Sequence, residues 1–541
     1  MNSEFNLLDE PWILVTYSDD SDKEVSLLKL FDDAHRIKTL NGESTTQNVS
    51  ILRLCLAVLY TVVCRYDISG CESHITCKED AVQRWSELWN NGEIESDVVN
   101  KYLDSYRDRF YLFDSNRPFY QDAALGKVLE QEYKNVNVKK GIADVAGNYL
   151  GVGKLIGNLS ESGNKRRLFR AINADSLKYD EAARWLINYM NIDDKSIKKP
   201  TPKVCGNLGE IGCTYLEGDN LFETLMLNLV FNNNTDDDPE QNPAWEDDST
   251  VSENEEVVCT NLSQLYTFQC RRIYLDRQNG TVVGFKATAG RCYDQYPKFE
   301  PMTAWRKIEN KDKTTDIVPK KNSAEVHLWR NMQILIADGK SKPGVIDWIS
   351  ELEDEEIIDE DFTVQVRTVG LEYGTMTSSI ANTFSDELDF AAVVLQKVPT
   401  LRNSIIMQID ITKLFAEAFA SFAAESFLAK GGDKGEKGCN ITGEKKKARA
   451  DFYASIDVPF RDWLSQVGVR ITTEKEIGDT WWGIVKEKSI LLAKSAVSNS
   501  PESAVLGKNG RSIAAAYNWF LYKISSVDTL IKEGSKNDSK K

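Results

Sequence analysis

A short polar stretch, ESGNKRRLFR at residues 161–170, gathers four basic side chains around one aromatic ring, Phe169. The basic residues are Lys165, Arg166, Arg167 and Arg170. Lysine and arginine bind anions through charge-assisted hydrogen bonds, and arginine does so with a planar fork of donors. The stretch therefore either binds an anion or is a solvated basic loop in which Leu168 and Phe169 are buried.

A second group of reactive side chains lies in the segment CRYDISGCESHITC at residues 64–77. It contains three thiols and one imidazole, which are ligand types that tetrahedral zinc prefers. These residues are Cys64, Cys71, His74 and Cys77. The paired Cys-x-x-Cys spacing of zinc knuckles is missing, so the group is either a zinc site or a set of ordinary thiols. We predict no bound metal and no cofactor.

Motifs of hydrolases and transferases are missing from the sequence. None of its three histidines, His35, His74 and His327, stands at a metal-ligand spacing on a helix. The segment GKNGRS at 507–512 lacks the Gly-x-x-x-x-Gly-Lys-Ser/Thr pattern of a phosphate loop. We therefore predict that the chain is not an enzyme.

The 541 residues carry a formal net charge of -17, but the acidity is concentrated in two runs. Residues 236–256 hold 10 carboxylates and residues 351–361 hold 8. Such runs are usually solvated loops or linkers, and without them the remainder is near neutral. Net charge therefore does not exclude an anionic partner. Local basic clusters determine whether the protein can bind one.

The N-terminus MNSEFNLLDEPWIL lacks the basic and apolar regions of a secretory signal. The longest apolar stretch, Leu54 to Cys64, has 11 residues, whereas roughly 20 are needed to span a bilayer. Ten cysteines without a signal peptide indicate reduced thiols. We predict a cytoplasmic protein without a membrane partner.

The elements that must position these groups change character along the chain. Residues 257–300 alternate in strand fashion on both sides of the turn signal QNG (278–280), which predicts a hairpin. Gly374 to Thr377 mark the tip of a second one. From about residue 385 the pattern becomes helical. The predicted helices are 415–430, 445–467, 479–497 and 511–524. We predict an α+β protein with a large mixed α/β N-terminal domain (1–385) and a C-terminal four-helix bundle (386–541).

Several segments together resemble the CasA family, the large subunit of the type I-E CRISPR surveillance complex called Cascade. The similar segments are NLLDEPWILV, FYLFDSNRPFYQ, SGNKRRLF followed by EAARWLI, LFETLMLNLV followed by NPAWEDD, QLYTFQCRRIYL and the helical C-terminus. The resemblance rests on the order and spacing of these segments, and it extends over nearly the whole chain. It implies the same mixed domain and helical bundle.

This resemblance also implies a function. Family members are not known as enzymes, lie beside the 5′ handle of the guide RNA and read the protospacer-adjacent motif in double-stranded DNA. They help to start strand separation and form a docking surface for the helicase-nuclease in antiviral defence. The implied partners are guide RNA, double-stranded target DNA, other Cascade subunits and the helicase-nuclease effector.

The resemblance assigns the basic stretch of the first paragraph to the guide-RNA handle. Its basic side chains would bind phosphates, and Phe169 would offer a flat face to a splayed base. The implied handle-binding residues are Asn164, Lys165, Arg166, Arg167, Phe169 and Arg170.

For DNA, the resemblance aligns a glycine-rich loop with Lys198 to Gly206 and a wedge hairpin with Tyr373 to Ser378. The family's basic minor-groove residue falls near Lys286 or Arg291. A residue that contacts the minor groove suits recognition with low sequence stringency, because different base pairs present similar hydrogen-bonding groups in that groove. The implied DNA-contacting residues are Lys198, Lys199, Lys203, Gly206, Lys286, Arg291, Gly374, Thr375, Met376 and Thr377.

The sequence departs from the family pattern in both the loop and the hairpin. Lysines and prolines precede Gly206 where the family has glycines, and the hairpin tip has no amide side chain. Met376 is either an apolar wedge or a packed side chain. Two other functions remain open: a metal-dependent enzyme that processes nucleic acid at the cysteine and histidine group, and a scaffold subunit that binds only protein.

Overall fold

The computed structural model describes residues 4–135, 149–156, 175–195, 200–231, 240–320, 323–336, 341–374, 377, 380–396, 399–507 and 510–538. The chain divides into two compact units. Unit 1 comprises Met1–Ile357 and Gln365–Glu387, and unit 2 comprises Ile358–Val364 and Leu388–Lys541. The sequence-based boundary at 385/386 falls inside a strand that runs from one unit into the other.

Strands and helices alternate irregularly through unit 1. The strands of the chain are β1 (Glu4–Asn6), β2 (Ile13–Tyr17), β3 (Asp22–Val25), β4 (Ile37–Leu40), β5 (Tyr111–Phe113), β6 (Tyr149–Gly151), β7 (Cys213–Glu217), β8 (Arg271–Gln278), β9 (Thr281–Ala289), β10 (Trp305–Glu309), β11 (Thr315–Pro319), β12 (Thr363–Tyr373) and β13 (Ile380–Ala391). The helices of unit 1 are α1 (Leu27–Asp32), α2 (Thr45–Arg65), α3 (Lys78–Asn91), α4 (Ser96–Ser105), α5 (Ala123–Asn135), α6 (Val152–Leu155), α7 (Tyr179–Ile192), α8 (Asn207–Ile211), α9 (Leu221–Leu227), α10 (Leu262–Tyr266), α11 (Gln333–Ile336) and α12 (Gly344–Asp354).

The strands form small sheets rather than one large one. The three-stranded sheets have the orders β3-β2-β4, β6-β9-β8 and β13-β12-β7, and β1-β5 and β10-β11 form two-stranded sheets. Pairing is antiparallel in β6-β9, β8-β9 and β12-β7. Such short sheets are stable only when helices or loops cover them.

Helix α2 is the central element of the unit 1 core. Ser44 caps it by accepting a hydrogen bond from the Gln47 backbone N–H at 3.2 Å. The helix is long and apolar enough to cross a membrane by composition, but 89% of its apolar window is buried inside the protein. Arg53 on α2 is fully buried, lies 2.9 Å from Glu300 and stacks on Tyr266. The apolar surface of α2 is thus used in packing within unit 1.

The β8-β9 hairpin turns at Asn279 and Gly280, which both adopt positive φ angles of 51° and 79°. Two such residues make the turn that suits the twist of antiparallel strands. The predicted hairpin around QNG is therefore confirmed. The residues before it differ from the prediction, because Leu262–Tyr266 form α10, capped by Asn261, rather than a strand.

Unit 2 is mainly helical. Its helices are α13 (Thr400–Ala429), α14 (Cys439–Leu464), α15 (Glu474–Ser498), α16 (Glu502–Leu506) and α17 (Ile513–Asp538). α13 packs against α14, α15 and α17, and aromatic rings such as those of Phe419, Phe452 and Phe520 meet in the core. The predicted α+β class and the helical C-terminal part are confirmed.

Candidate nucleic-acid interface

A buried ion pair fixes the C-terminal end of α7. Asp193 and Asp194 directly follow the helix, and each is only 3% exposed. Arg271, the first residue of β8, is 1% exposed, and its Nε donates to Asp193 Oδ2 at 2.6 Å. Its Nη2 also donates to the Asp194 carbonyl at 3.1 Å. Burying charges is tolerated only when they are paired and hydrogen-bonded, and this arrangement meets that condition.

The loop that is predicted to read DNA ends at Gly206, and Gly206 lies at this C-terminal end of α7. The Gly206 backbone N–H donates to the Asp193 carbonyl at 3.0 Å. A Cβ at position 206 would lie 2.1 Å from the carbonyl carbon of Asn191 and from the amide nitrogen of Ile192. The loop backbone therefore packs directly against the backbone of α7, and glycine is required there for that contact.

The predicted wedge hairpin meets the same helix end. Tyr373, the last residue of β12, donates its hydroxyl to the carbonyls of Ile192 and Asp193 at 3.2 and 3.4 Å. The Lys195 backbone N–H donates to the Thr377 carbonyl at 3.0 Å. Thr377 has a positive φ of 54°, and its N–H donates to the Gly374 carbonyl at 3.0 Å. The hairpin tip and the start of the loop are thus joined through the backbone.

Lys203 lies at the exposed side of this loop. Its backbone N–H donates to Asn254 Oδ1 at 3.0 Å, and its ammonium pairs with Glu256. The hydrogen bond from Lys203 lowers the pKa of the Glu256 carboxyl below its ordinary value. The Lys203 side chain is still 53% exposed, so its charge is accessible to a partner that competes with Glu256.

The two predicted minor-groove residues differ from Lys203 because both are largely buried. Lys286 in β9 has a 7% exposed side chain, and its ammonium contacts both carboxylate oxygens of Glu132 at 2.5 and 2.6 Å. Arg291 has a 12% exposed side chain and pairs with Asp247 at 2.9 Å and with Glu255 at 3.4 Å. DNA binding by either residue would have to replace these carboxylates.

Other predicted residues lie outside the described part of the chain. They are Asn164, Lys165, Arg166, Arg167, Phe169, Arg170, Lys198, Lys199, Thr375 and Met376. Of the predicted DNA-contacting set, the structure brings Gly206, Gly374 and Thr377 together around the end of α7. Lys286 and Arg291 belong to β9 and to the segment after it.

The cysteine and histidine group does not form a metal-binding arrangement. Cys64, Cys71, His74 and Cys77 are all described, and among the described residues no cluster of three or more His, Cys, Asp or Glu side chains could hold a metal ion. His74 instead contacts Glu72 at 3.2 Å in an exposed position. All ten cysteines are thiols rather than disulfides.

Sequence reasoning missed the residues that assemble this interface, namely Asp193, Arg271 and the hydroxyl of Tyr373. One signal was available, because Arg271, Ile273 and Leu275 alternate along β8 and share its buried face. An arginine on a buried strand face needs an acidic partner. The sequence gives no indication that this partner lies 78 residues away.

Comparison with known proteins shows which family the chain resembles. A family model described as CRISPR-associated protein Cse1 matches residues 6–485. A CRISPR-associated protein CasA/Cse1 of Thermus thermophilus is 30% identical over 241 residues. That alignment covers 43% of this chain and 41% of the relative, so it spans less than half of the relative's length.

Solved structures resemble the whole chain. The crystal structure of Thermobifida fusca Cse1 has a TM-score of 0.80 at 25% identity and covers 97% of this chain and 98% of that one. Cse1 from Acidimicrobium ferrooxidans has a TM-score of 0.77 at 22% identity, covering 97% and 99% of the two chains. A chain of a CRISPR RNA-guided surveillance complex has a TM-score of 0.60 at 15% identity, covering 97% and 100%. The latter two establish similarity of fold.

Proposed function

The chain belongs to the CRISPR-associated Cse1 (CasA) family, and from this membership we propose that it is the large, non-catalytic subunit of a CRISPR RNA-guided surveillance complex. In this role it reads the protospacer-adjacent motif in double-stranded DNA and promotes separation of the target strands. It also helps to recruit a helicase-nuclease in antiviral defence.

The observation that carries the DNA-reading proposal is the connection between loop and hairpin at the end of α7. The Lys195–Thr377 backbone hydrogen bond and the two Tyr373 hydroxyl contacts hold both pieces to one support. A reader must present its groups in a fixed geometry, because misplaced contacts lose most of their binding energy. In this proposal, lysines of the loop bind phosphates and Met376 of the hairpin acts as an apolar wedge at a base step.

We expect the assembled complex to select a limited set of sequences from a library with randomised DNA next to the guide-matched target. Replacing Thr375, Met376 and Thr377 together by glycine removes the side chains of the hairpin tip. The variant complex should lose most of that selectivity and open the duplex more slowly, because the wedge side chain is gone. Sequencing of bound DNA measures selectivity, and a fluorescent base analogue beside the motif measures opening.

The matched control changes another hairpin tip of unit 1. Lys311, Asp312 and Lys313 lie in the exposed turn between β10 and β11, and their triple replacement by glycine should leave selectivity unchanged. Equal recovery of all flanking sequences by the unmodified complex would reject motif reading. Full selectivity in the first glycine variant would reject the role of the hairpin.

We further propose that residues 164–170 anchor this subunit on the guide-RNA handle. Phosphates would pair with the basic side chains, and Phe169 would stack on a base. Complexes assembled with Phe169→Ala, or with alanine at Lys165, Arg166 and Arg167, should retain less of this subunit on size exclusion. Retention equal to that of the unmodified complex would refute the anchor.

A further inference from the structure

Unit 1 contains a cavity of about 340 Å³. It lies where the corner after β5 meets the start of α5, residues 244–251 and the start of β8. Its volume falls within the range of small-molecule sites, about 300–1,000 Å³. Of the residues predicted to contact DNA, it contains only Arg291.

The corner that forms one wall is built by local hydrogen bonds and ring stacking. Asp114 Oδ1 accepts from the backbone N–H groups of Asn116 and Arg117 at 2.8 and 2.9 Å. The rings of Phe119 and Tyr120 stack with centroids 4.2 Å apart. The corner therefore holds the Arg117 backbone in place at the cavity wall.

The lining is cationic although the protein as a whole is acidic. Six lysine or arginine residues and three aspartates line the cavity. Arg271 and Arg272 have their own carboxylate partners, at 2.6 Å from Asp193 and 2.7 Å from Asp122 respectively. Arg291 is also paired, with Asp247 at 2.9 Å and Glu255 at 3.4 Å, so the cations that an anionic ligand could use are those that share an exposed carboxylate.

Two arginines at the cavity share one exposed carboxylate. Arg109 Nη2 lies 2.5 Å from Asp248 Oδ1, and Arg117 Nη1 contacts the same oxygen. The hydrogen bonds from Arg109 and Arg117 lower the pKa of Asp248. The Asp248 side chain is 70% exposed, so a stronger anion can displace it at little desolvation cost.

A buried hydroxyl in the same lining also lacks a partner. Tyr120 is 7% exposed, and its hydroxyl makes no hydrogen bond among the described residues. Buried polar groups are normally satisfied, and each exception calls for an explanation such as a bound ligand. Burial also raises the pKa of this phenol, so the hydroxyl remains protonated.

We propose that this cavity binds the phosphate group of a nucleotide, which replaces Asp248 between Arg109 and Arg117. A phosphate carries more charge and more acceptor oxygens than a carboxylate, and guanidinium forks match its geometry. A phosphate alone is smaller than the cavity, so the site has room for part of the attached nucleoside. The nucleotide is either free or part of a nucleic-acid strand.

Calorimetry on the full-length chain tests this inference with four probes: adenosine 5′-monophosphate, adenosine, inorganic phosphate and a single-stranded RNA octamer. We expect adenosine to bind at least about tenfold more weakly than its monophosphate, because the charged hydrogen bonds are missing. The Arg109→Gln/Arg117→Gln variant should weaken phosphate-dependent binding by a similar factor. Asp248→Asn should strengthen it, because the competing carboxylate charge is removed.

Two controls match these charge changes away from the cavity. Asp20→Asn alters an exposed aspartate that pairs with Lys38, and Arg107→Gln alters an arginine that pairs with Asp104. Both should leave the affinities unchanged. The octamer could bind when the monophosphate does not. If its binding responds to the variants in the same way, the result supports the site and shows that the bound phosphate belongs to a nucleic-acid strand.

Absence of binding of every phosphate-bearing probe to both the unmodified chain and Asp248→Asn would overturn the inference. Binding that is unaffected by the double arginine substitution would also overturn it. Because the isolated chain is used, these outcomes do not depend on motif reading by the assembled complex.

Discussion

At the scale of single residues, Arg271 links parts of the chain that are far apart in sequence. Its guanidinium joins the start of β8 to Asp193 and Asp194 at the end of α7. The loop through Gly206 and the hairpin through Tyr373 hydrogen-bond to carbonyls of that same helix end. A charged side chain with no exposed surface thus supports the interface without being available to a ligand.

We predict that Arg271→Met lowers the free energy of unfolding by about 3–5 kcal/mol, because it leaves the Asp193 carboxylate buried without its cation. The double variant Arg271→Met/Asp193→Asn should recover part of this loss, since no uncompensated charge remains. Urea denaturation followed by tryptophan fluorescence measures both changes.

The matched control is Arg277→Met on the same strand. Arg277 pairs with Glu4 near the surface, and its side chain is 22% exposed. Ion pairs close to solvent contribute only about 0–1 kcal/mol, so this substitution should have a small effect. If Arg271→Met costs no more than Arg277→Met, the buried pair does not have the structural role assigned to it.

At the scale of elements, α13, α14 and α15 begin earlier than their sequence pattern predicts, whereas α17 begins at Ile513, just after the predicted start at residue 511. The first was predicted from residue 415, but α13 begins at Thr400 and includes a mixed polar and apolar first half. α15 begins at Glu474, where Thr473 and Glu476 form a capping box. Apolar spacing identified the buried middle of each helix, whereas the ends depend on caps and neighbours.

Two exposed glycines inside these helices give a prediction for this scale. At Gly443 in α14 and Gly483 in α15, no atom outside the neighbouring residues and the nearby helix backbone lies within 4 Å of the position that a Cβ would occupy, so alanine fits without a clash. Each change to alanine should raise the free energy of unfolding by about 0.5–1 kcal/mol, because alanine loses less backbone entropy in a helix. Urea denaturation followed by circular dichroism at 222 nm, roughly the helical minimum, reports the gain.

Gly468 provides the opposite control. It has a φ of +88°, and a Cβ there would lie 2.3 Å from Val393 Cγ1. Gly468→Ala should therefore destabilise the protein. A loss of stability in Gly443→Ala or Gly483→Ala would mean that these helix positions are constrained by something other than helix propensity.

At the scale of the whole molecule, net charge and local charge act in opposite directions. The chain carries a formal charge of -17, which repels nucleic acid, while Lys198, Lys199 and Lys203 concentrate positive charge in one loop. Repulsion by distant charges is screened over about 8 Å at physiological salt, whereas direct phosphate contacts release counterions. We therefore expect these lysines, rather than the net charge, to set the affinity of the assembled complex for DNA.

We predict that alanine at Lys198, Lys199 and Lys203 weakens duplex binding by the assembled complex. The slope of log affinity against log salt should become shallower by roughly 0.9 for each phosphate that the loop no longer neutralises. Filter binding at several salt concentrations measures the slope.

Alanine at Lys445, Lys446 and Lys447 in α14 changes the net charge by the same amount and serves as the control. It should leave the slope unaltered, because α14 is not part of the loop to which the phosphate contacts are assigned. Equal slopes for the unmodified complex and the loop variant would exclude phosphate contacts by the loop.

The sequence alone determined the mixed α+β class, the helical C-terminal part, the β8-β9 turn and the family resemblance. These features are encoded locally, in hydrophobic spacing, in turn residues such as Asn279 and Gly280, and in the order of short motifs. Only the tertiary structure revealed that Gly206 packs on α7, that Lys286 pairs with Glu132, and that Arg271 holds Asp193. Those contacts join residues from 14 to 154 positions apart, and no local pattern specifies which distant residue completes a buried pair or packs against a glycine.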